Sequence, residues 1–241
     1  MANRPAWWET AFSGHYRTVY AHRDDQAATV EALALAPHLR HLSGPVLDVG
    51  CGHGRHLVAL RRQGVNVFGL DYSPFLLADA QGQALGRGRL LRGDMRCPPV
   101  TSGWGAVLML FTTFGYFTEA ANRACLAAWA SLLAPDGRLV VDLPEPDHLV
   151  ATLQACSRRQ DADGLEISET RSYGQGRMMK NVELRRGDQA ILNYSENVRL
   201  YSREEFLALA TEAGLAVKDC WSSLRGAPHD DHRLVWWLGK K

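Results

Sequence analysis

The stretch Val46-Leu47-Asp48-Val49-Gly50-Cys51-Gly52-His53-Gly54-Arg55-His56 constrains the fold more than any other part of this chain. Apolar residues feed an extended run that ends in three alternating glycines and then enters a helical pattern. Glycine lets the backbone turn tightly and lets a ligand approach the main chain. The start of the new helix offers unpaired N–H groups to an anion, a carboxylate as readily as a phosphate. A dinucleotide fingerprint requires G-x-G-x-x-G. Gly50 and Gly52 satisfy its first two positions, but the third falls on Arg55, whose bulk opposes close helix–strand packing and disfavours a dehydrogenase. The spacing present is D-x-G-x-G-x-G, with Asp48 leading it. Taken alone, such a loop is also explained by an ordinary tight turn.

Two further acids follow in order. The next apolar run ends Phe68-Gly69-Leu70-Asp71, and the one after it ends Leu90-Leu91-Arg92-Gly93-Asp94-Met95. An acid at the first of these tips can accept from both hydroxyls of a ribose. At the second, Asp94 can accept from an exocyclic amine while Met95 packs on an adenine face. Ligands of open α/β sheets bind at the carboxyl ends of the strands, which is where all three features fall.

The surrounding pattern agrees. Strands are predicted over 46–49, 65–70, 106–111 and 138–143, alternating with helices over 56–63, 74–85 and 119–133. That alternation gives a parallel sheet with helices on both faces. Residues 1–43 read as a helical cap, with Asp24 and Asp25 placed to cap a helix over 26–42. Residues 44–145 form the α/β core. Within 146–201 the period changes to two, over 166–173, 178–186 and 190–201, with glycine turns between. This predicts an inserted antiparallel meander above the ligand mouth, acting as a substrate lid or a dimer surface. The core resumes over 202–241 with a helix over 203–213, capped by Ser202 and Glu205, and two strands over 216–221 and 233–238.

The run from Leu47 to Leu143 resembles the class I S-adenosylmethionine (SAM)-dependent methyltransferases, and the region from Glu196 to Leu238 does so more loosely. The resemblance implies a Rossmann-like seven-stranded sheet, mostly parallel, whose last strand, over 233–238, is antiparallel. It implies SAM as cofactor, with Asp48 near the methionine end, the Gly50, Gly52 and Gly54 loop beneath it, Asp71 on the ribose, and Asp94 with Met95 on the adenine. It extends the cofactor set to Cys51, Arg55, His56, Tyr72, Ser73, Leu110 and Phe111. His53 departs from the family pattern, in which a small residue is commoner. A narrower likeness rests on Tyr16, Gly93-Asp94-Met95-Arg96, Phe111-Thr112-Thr113-Phe114-Gly115-Tyr116 and Arg199-Leu200-Tyr201-Ser202. These resemble bacterial small-molecule methyltransferases, amino-sugar N-methyltransferases among them.

Methyl transfer from a sulfonium needs alignment and dehydration above all. Tyr16 and Tyr116 are the expected positioning residues at the methyl, converging from opposite walls. Arg199 and Arg233 are candidates to bind an acidic acceptor, although a solvated arginine is the ordinary reading of either. No metal is expected: His53/His56 and His229/His232 share an H-x-x-H spacing without a carboxylate set. Cys97 reads as a structural thiol, and Trp7, Trp8, Trp236 and Trp237 as core or interface aromatics.

Composition trims the alternatives. The 241 residues carry 27 basic and 26 acidic side chains, a formal net charge of +1. This balance argues against a nucleic-acid partner. A non-catalytic SAM-binding module is disfavoured by the intact cofactor positions, and a protein methyltransferase stays open. No run approaches the roughly 20 apolar residues of a membrane span, and residues 1–8 do not read as a signal peptide. Five scattered cysteines without a CxxC pair suit a reducing cytoplasm. The expected partner is a small-molecule acceptor, with a homodimer left open.

Overall fold

The structure is a computed structural model that describes residues 6–21, 24–83 and 88–241. The predicted helix over 74–85 therefore ends outside the described residues, and residues 1–5, 22 and 23 of the helical cap lie outside them too.

The core is a seven-stranded sheet in the order β10-β11-β5-β4-β1-β2-β3. Its centre is β1 (Val46–Val49) and β4 (Trp104–Met109), every residue of which is buried. That is the mark of strands covered on both faces, and it explains their continuous apolar sequence. β2 (Val67–Asp71) and β3 (Leu90–Arg92) extend the sheet in parallel on one side, and β5 (Leu133–Pro144) on the other. β11 (Arg233–Lys240) pairs antiparallel with both β5 and β10 (Leu215–Trp221), so it alone runs against the others. The expected antiparallel last strand is therefore present.

Helices α4 (Arg55–Arg62) and α3 (Asp25–Leu39) cover one face, where Leu35, Leu57 and Leu60 pack against Val46 and Leu108. Helices α6 (Glu119–Leu132) and α8 (Arg203–Glu212) cover the other, around Trp129, Phe206 and Tyr201. Capping follows the sequence: Asp24 accepts from the Ala27 N–H at 2.8 Å, and Ser202 with Glu205 forms a capping box. Between β2 and β3 lies α5 (Pro74–Gly82), begun by Ser73 as N-cap.

One boundary differs instructively. The strand predicted over 106–111 stops at Met109 because Phe111 and Thr112 both adopt positive φ, 54° and 62°. β-Branched and aromatic side chains pay for that conformation with strain. It is held by Asp142, which takes the Phe111 N–H on its carboxylate at 2.7 Å and the Thr112 N–H on its carbonyl at 3.0 Å.

The insertion forms a separate antiparallel sheet, ordered β6-β7-β8-β9. It has four strands where the pattern predicted three: β6 (Cys156–Gln160), β7 (Glu166–Gly174), β8 (Arg177–Arg186) and β9 (Gln189–Arg199). The extra strand escaped the sequence because Cys-Ser-Arg-Arg-Gln is polar and mostly exposed on both sides, so it carries no period-two signal. A short helix, α7 (Pro146–Ala151), leads into the sheet. Its inner face packs Leu165, Ile167, Val182, Leu184 and Tyr194 against Ala11, Val19 and Tyr20 of the amino-terminal segment, as a third apolar cluster. That segment holds α1 (Trp7–Ala11) and α2 (Tyr16–Val19).

Candidate functional site

A cleft of about 960 Å³, partly open to solvent, lies at the carboxyl ends of β1, β2, β3 and β4. The strand tips supply its floor and the amino-terminal aromatics its roof.

The glycine loop makes the floor. Gly50, Gly52 and Gly54 all have positive φ, 72°, 56° and 82°. A Cβ on Gly50 would stand 2.5 Å from the Thr113 side chain, so the loop holds its course only with glycine there. Gly54 is the N-cap of α4 and does not line the cleft, and a Cβ on it would press on Ala80 at 3.1 Å. It is therefore the glycine of close helix packing, and Arg55 can follow it because its side chain turns towards the cleft.

Two buried carboxylates stand beneath this loop. Asp48 is pushed up to about 7 from its ordinary 3.8, by burial above all, with Arg55 opposing the rise. Asp71 is also raised by burial, but its oxygens are engaged: one accepts from the Gly52 N–H at 2.8 Å and the other from the Ser73 N–H at 2.8 Å. Each oxygen keeps further acceptor capacity, which matches the two hydroxyls of a ribose. Tyr72 and Ser73 follow it, their side chains tied to the amino-terminal segment through Glu9 at 2.9 Å and the Phe12 carbonyl at 2.6 Å. After β3, Asp94 is chelated by Arg96, whose Nη2 is 2.6 Å away, and this pairing lowers its pKa. The Met95 carbonyl accepts from Trp129 Nε1 at 2.9 Å, which fixes the backbone beside it.

At the opposite end, Arg55 lies 4.0 Å over the Phe111 ring. His56 is 2.7 Å from Glu31, and burial lowers its pKa. Cys51 and Leu110 complete that wall. A buried acid at the β2 tip, a half-buried acid after β3, a turn that tolerates only glycine, and a cationic end thus suit the ribose, adenine and amino-acid parts of SAM. Among the described residues no metal-binding cluster is present.

Tyr16 and Tyr116 both line the cleft. Both rings neighbour Phe12, with centroids 5.7 and 5.8 Å from it. Arg199 does not line the cleft: it is tied to Glu119 at 2.7 Å and to Glu205, at the junction of the insertion with α6 and α8. Arg233 is likewise absent from the lining, pairing with Asp142 and donating to Thr112 at 3.1 Å behind the strained turn. Both arginines satisfy protein carboxylates, which leaves the acceptor assignment without geometric support. His229 and His232 belong to a polar loop away from the cleft, and Cys97 is an exposed free thiol.

The sequence reading missed Trp8, Phe12, Leu76 and Phe117, all of which line the cleft. A signal was there: Trp8, Phe12, Tyr16 and Tyr20 recur every fourth residue, which puts four aromatics on one side of a helical segment.

Comparison with known proteins agrees with this geometry. A family profile described as a methyltransferase domain matches residues 46–137. The chain is 31% identical over 202 residues, 78% of its own length and 77% of the relative's, to a dTDP-3-amino-3,6-dideoxy-alpha-D-glucopyranose N,N-dimethyltransferase of Streptomyces fradiae. It is 28% identical over 180 residues, 72% and 76% of the two chains, to the corresponding 3,4,6-trideoxy sugar enzyme of Streptomyces venezuelae. Among solved structures, the CcbJ methyltransferase of Streptomyces caelestis superposes with a TM-score of 0.80 at 19% identity, covering 96% of this chain and 98% of that one. An amino pentose methyltransferase from Micromonospora echinaspora, solved with SAM bound, superposes with a TM-score of 0.71 at 24% identity over 94% and 96%.

Proposed function

The chain belongs to the class I SAM-dependent methyltransferases, and from that premise we propose that it methylates an amine on a small sugar acceptor. It uses SAM to methylate a small molecule. The observation that carries the finer reading is the roof. Phe12, Tyr16 and Tyr116 line the cleft together, and the four-stranded sheet backs the segment that bears two of them. A roofed aromatic end admits a compact acceptor and excludes a polymer strand. The names of the relatives at 31% and 28% identity supply the amine and the deoxy sugar, carried there by a nucleotide.

When bound, SAM supplies a methyl on a sulfonium that needs no further activation. The chain's residues divide the rest. Asp71 and the Gly52 N–H it engages fix the ribose, and Asp94 with Met95 fixes the adenine. The aromatic roof strips water from the acceptor, so that its nitrogen lone pair meets the methyl directly. Tyr16 and Tyr116 hold that nitrogen through their hydroxyls, each of which can accept an N–H. The five free cysteines support a reducing, cytoplasmic setting.

The test is transfer of labelled methyl from SAM to a panel of nucleotide-linked sugars, half bearing an amine and half only hydroxyls, with a protein and an oligonucleotide alongside. Label should appear on nitrogen in the amino sugars. Label on the protein, the oligonucleotide or the hydroxyl sugars alone would overturn the proposal.

A further inference from the structure

Glu31 is a carboxylate buried where nothing in the fold asks for one. It sits on α3 among Ala28, Ala32, Leu35 and Ala36, and only 7% of it is exposed. An apolar residue there would suit the helix packing better, because a buried charge is tolerated only when paired. Its partners are two residues of the cleft wall. One carboxylate oxygen lies 2.7 Å from His56 Nε2 and 3.5 Å from Arg55 Nη1. Arg55 donates also to the Asp24 carbonyl at 3.5 Å, and its plane lies over Phe111 at 4.0 Å. The guanidinium is thus braced by a carboxylate, a helix N-terminus and an aromatic face. Among the described residues that line the cleft, Arg55 is the one arginine, and no lysine joins it.

We propose that Glu31 is a positioning residue, which holds Arg55, and His56 beside it, so that the guanidinium receives the α-carboxylate of the cofactor's methionine portion. A guanidinium matches a carboxylate with paired, charge-assisted hydrogen bonds, but only when its fork is correctly turned. Glu31 reaches this carboxylate only through Arg55. The inference rests on the reading that the glycine-loop end of the cleft takes the amino-acid part of SAM.

The experiment compares two ligands that share adenosine and a thioether. S-adenosylhomocysteine carries the amino acid; 5′-methylthioadenosine lacks it. Affinities for both are measured by calorimetry on wild type, Glu31→Gln, Glu31→Asp and Arg55→Gln. The ratio of the two affinities is the readout, because a loss of folded protein reduces both equally. Glu31→Gln should weaken S-adenosylhomocysteine about tenfold, the scale of a charge-assisted bond, and leave 5′-methylthioadenosine unchanged. Glu31→Asp, charged but one methylene short, should fall between. Equal weakening of both ligands, or of neither, in the Glu31 variants while Arg55→Gln lowers the ratio would overturn the role of Glu31 alone. A ratio unmoved by Arg55→Gln would overturn the assignment of that end of the cleft, and the role of Glu31 with it.

Discussion

The floor of the cleft is one end of a seven-stranded sheet, whereas its roof is two short helices pinned to a four-stranded sheet by a separate apolar cluster. The floor's ligand-facing atoms are largely backbone N–H groups and carboxylates at strand tips, fixed by the ladder that runs through them. The roof's are aromatic side chains, and its polar ties are long in sequence: Tyr20 to Glu196, Lys180 to the Tyr20 hydroxyl, and Arg159 to the Val19 carbonyl. A rigid floor can hold an invariant cofactor. A roof assembled from distant pieces can change its shape with the acceptor while the floor stays as it is.

Breaking the floor should have the largest effect. Gly50→Val places a branched side chain at φ 72° and 2.5 Å from Thr113. Backbone strain of about 1–3 kcal/mol adds to the clash. Calorimetry should detect no S-adenosylhomocysteine binding, and the melting temperature should fall. Asp71→Asn is milder. It keeps the shape but turns an amide donor towards the Gly52 or Ser73 N–H. A lost bond to a charged group is worth about 1.5–3 kcal/mol, so the dissociation constant should rise roughly 10- to 100-fold.

The pH response sharpens the comparison, because both raised carboxylates, Asp48 and Asp71, lie in the floor. Asp48 titrates near 7 in the folded protein against 3.8 ordinarily, so the folded state holds the extra proton between those values. Stability without ligand should therefore fall as pH rises from about 4 to about 7 and level off above. Melting curves of Asp48→Asn should lose the part of that slope which Asp48 contributes. A slope identical to wild type would contradict the assignment.

The smallest effect belongs to the roof. The Tyr194 hydroxyl is buried with no hydrogen-bond partner among the described residues, and burial raises its pKa. Removing an unsatisfied buried hydroxyl relieves a desolvation penalty of about 1 kcal/mol. Tyr194→Phe should match wild type in thermal melting or exceed it slightly, with cofactor affinity unchanged. A marked loss of stability would mean that this hydroxyl is bonded in solution.

The same division explains what the sequence made legible. Asp48, Gly50, Gly52, Asp71 and Asp94 were readable because each follows from a local rule: an apolar strand, a turn that needs glycine, an acid at the tip. The seven-stranded sheet with its antiparallel last strand came with the family resemblance; its strand order did not. The fourth strand of the insertion was hidden because Cys156–Gln160 is polar along its length. The pairing of Arg199 and Arg233 away from the cleft was hidden for a different reason. Their partners Glu119, Glu205 and Asp142 meet them only after folding, and spacing along the chain carries no trace of that. Trp8 and Phe12 were visible as an every-fourth-residue aromatic stripe, but a stripe of that kind is ordinarily core, and only the placement of the segment over the cleft turns it into a wall.

The central claim is that the floor binds the cofactor and the roof governs the acceptor. It is tested most directly by measuring, on one preparation each, S-adenosylhomocysteine affinity and turnover at saturating SAM for Tyr16→Phe and Tyr116→Phe beside Asp71→Asn. The acceptor is whichever one the labelled-methyl panel identifies. The account predicts that both tyrosine variants lose turnover at unchanged affinity, while Asp71→Asn loses affinity first. Tyrosine variants that keep full turnover, or that weaken cofactor binding as much as Asp71→Asn does, would contradict it.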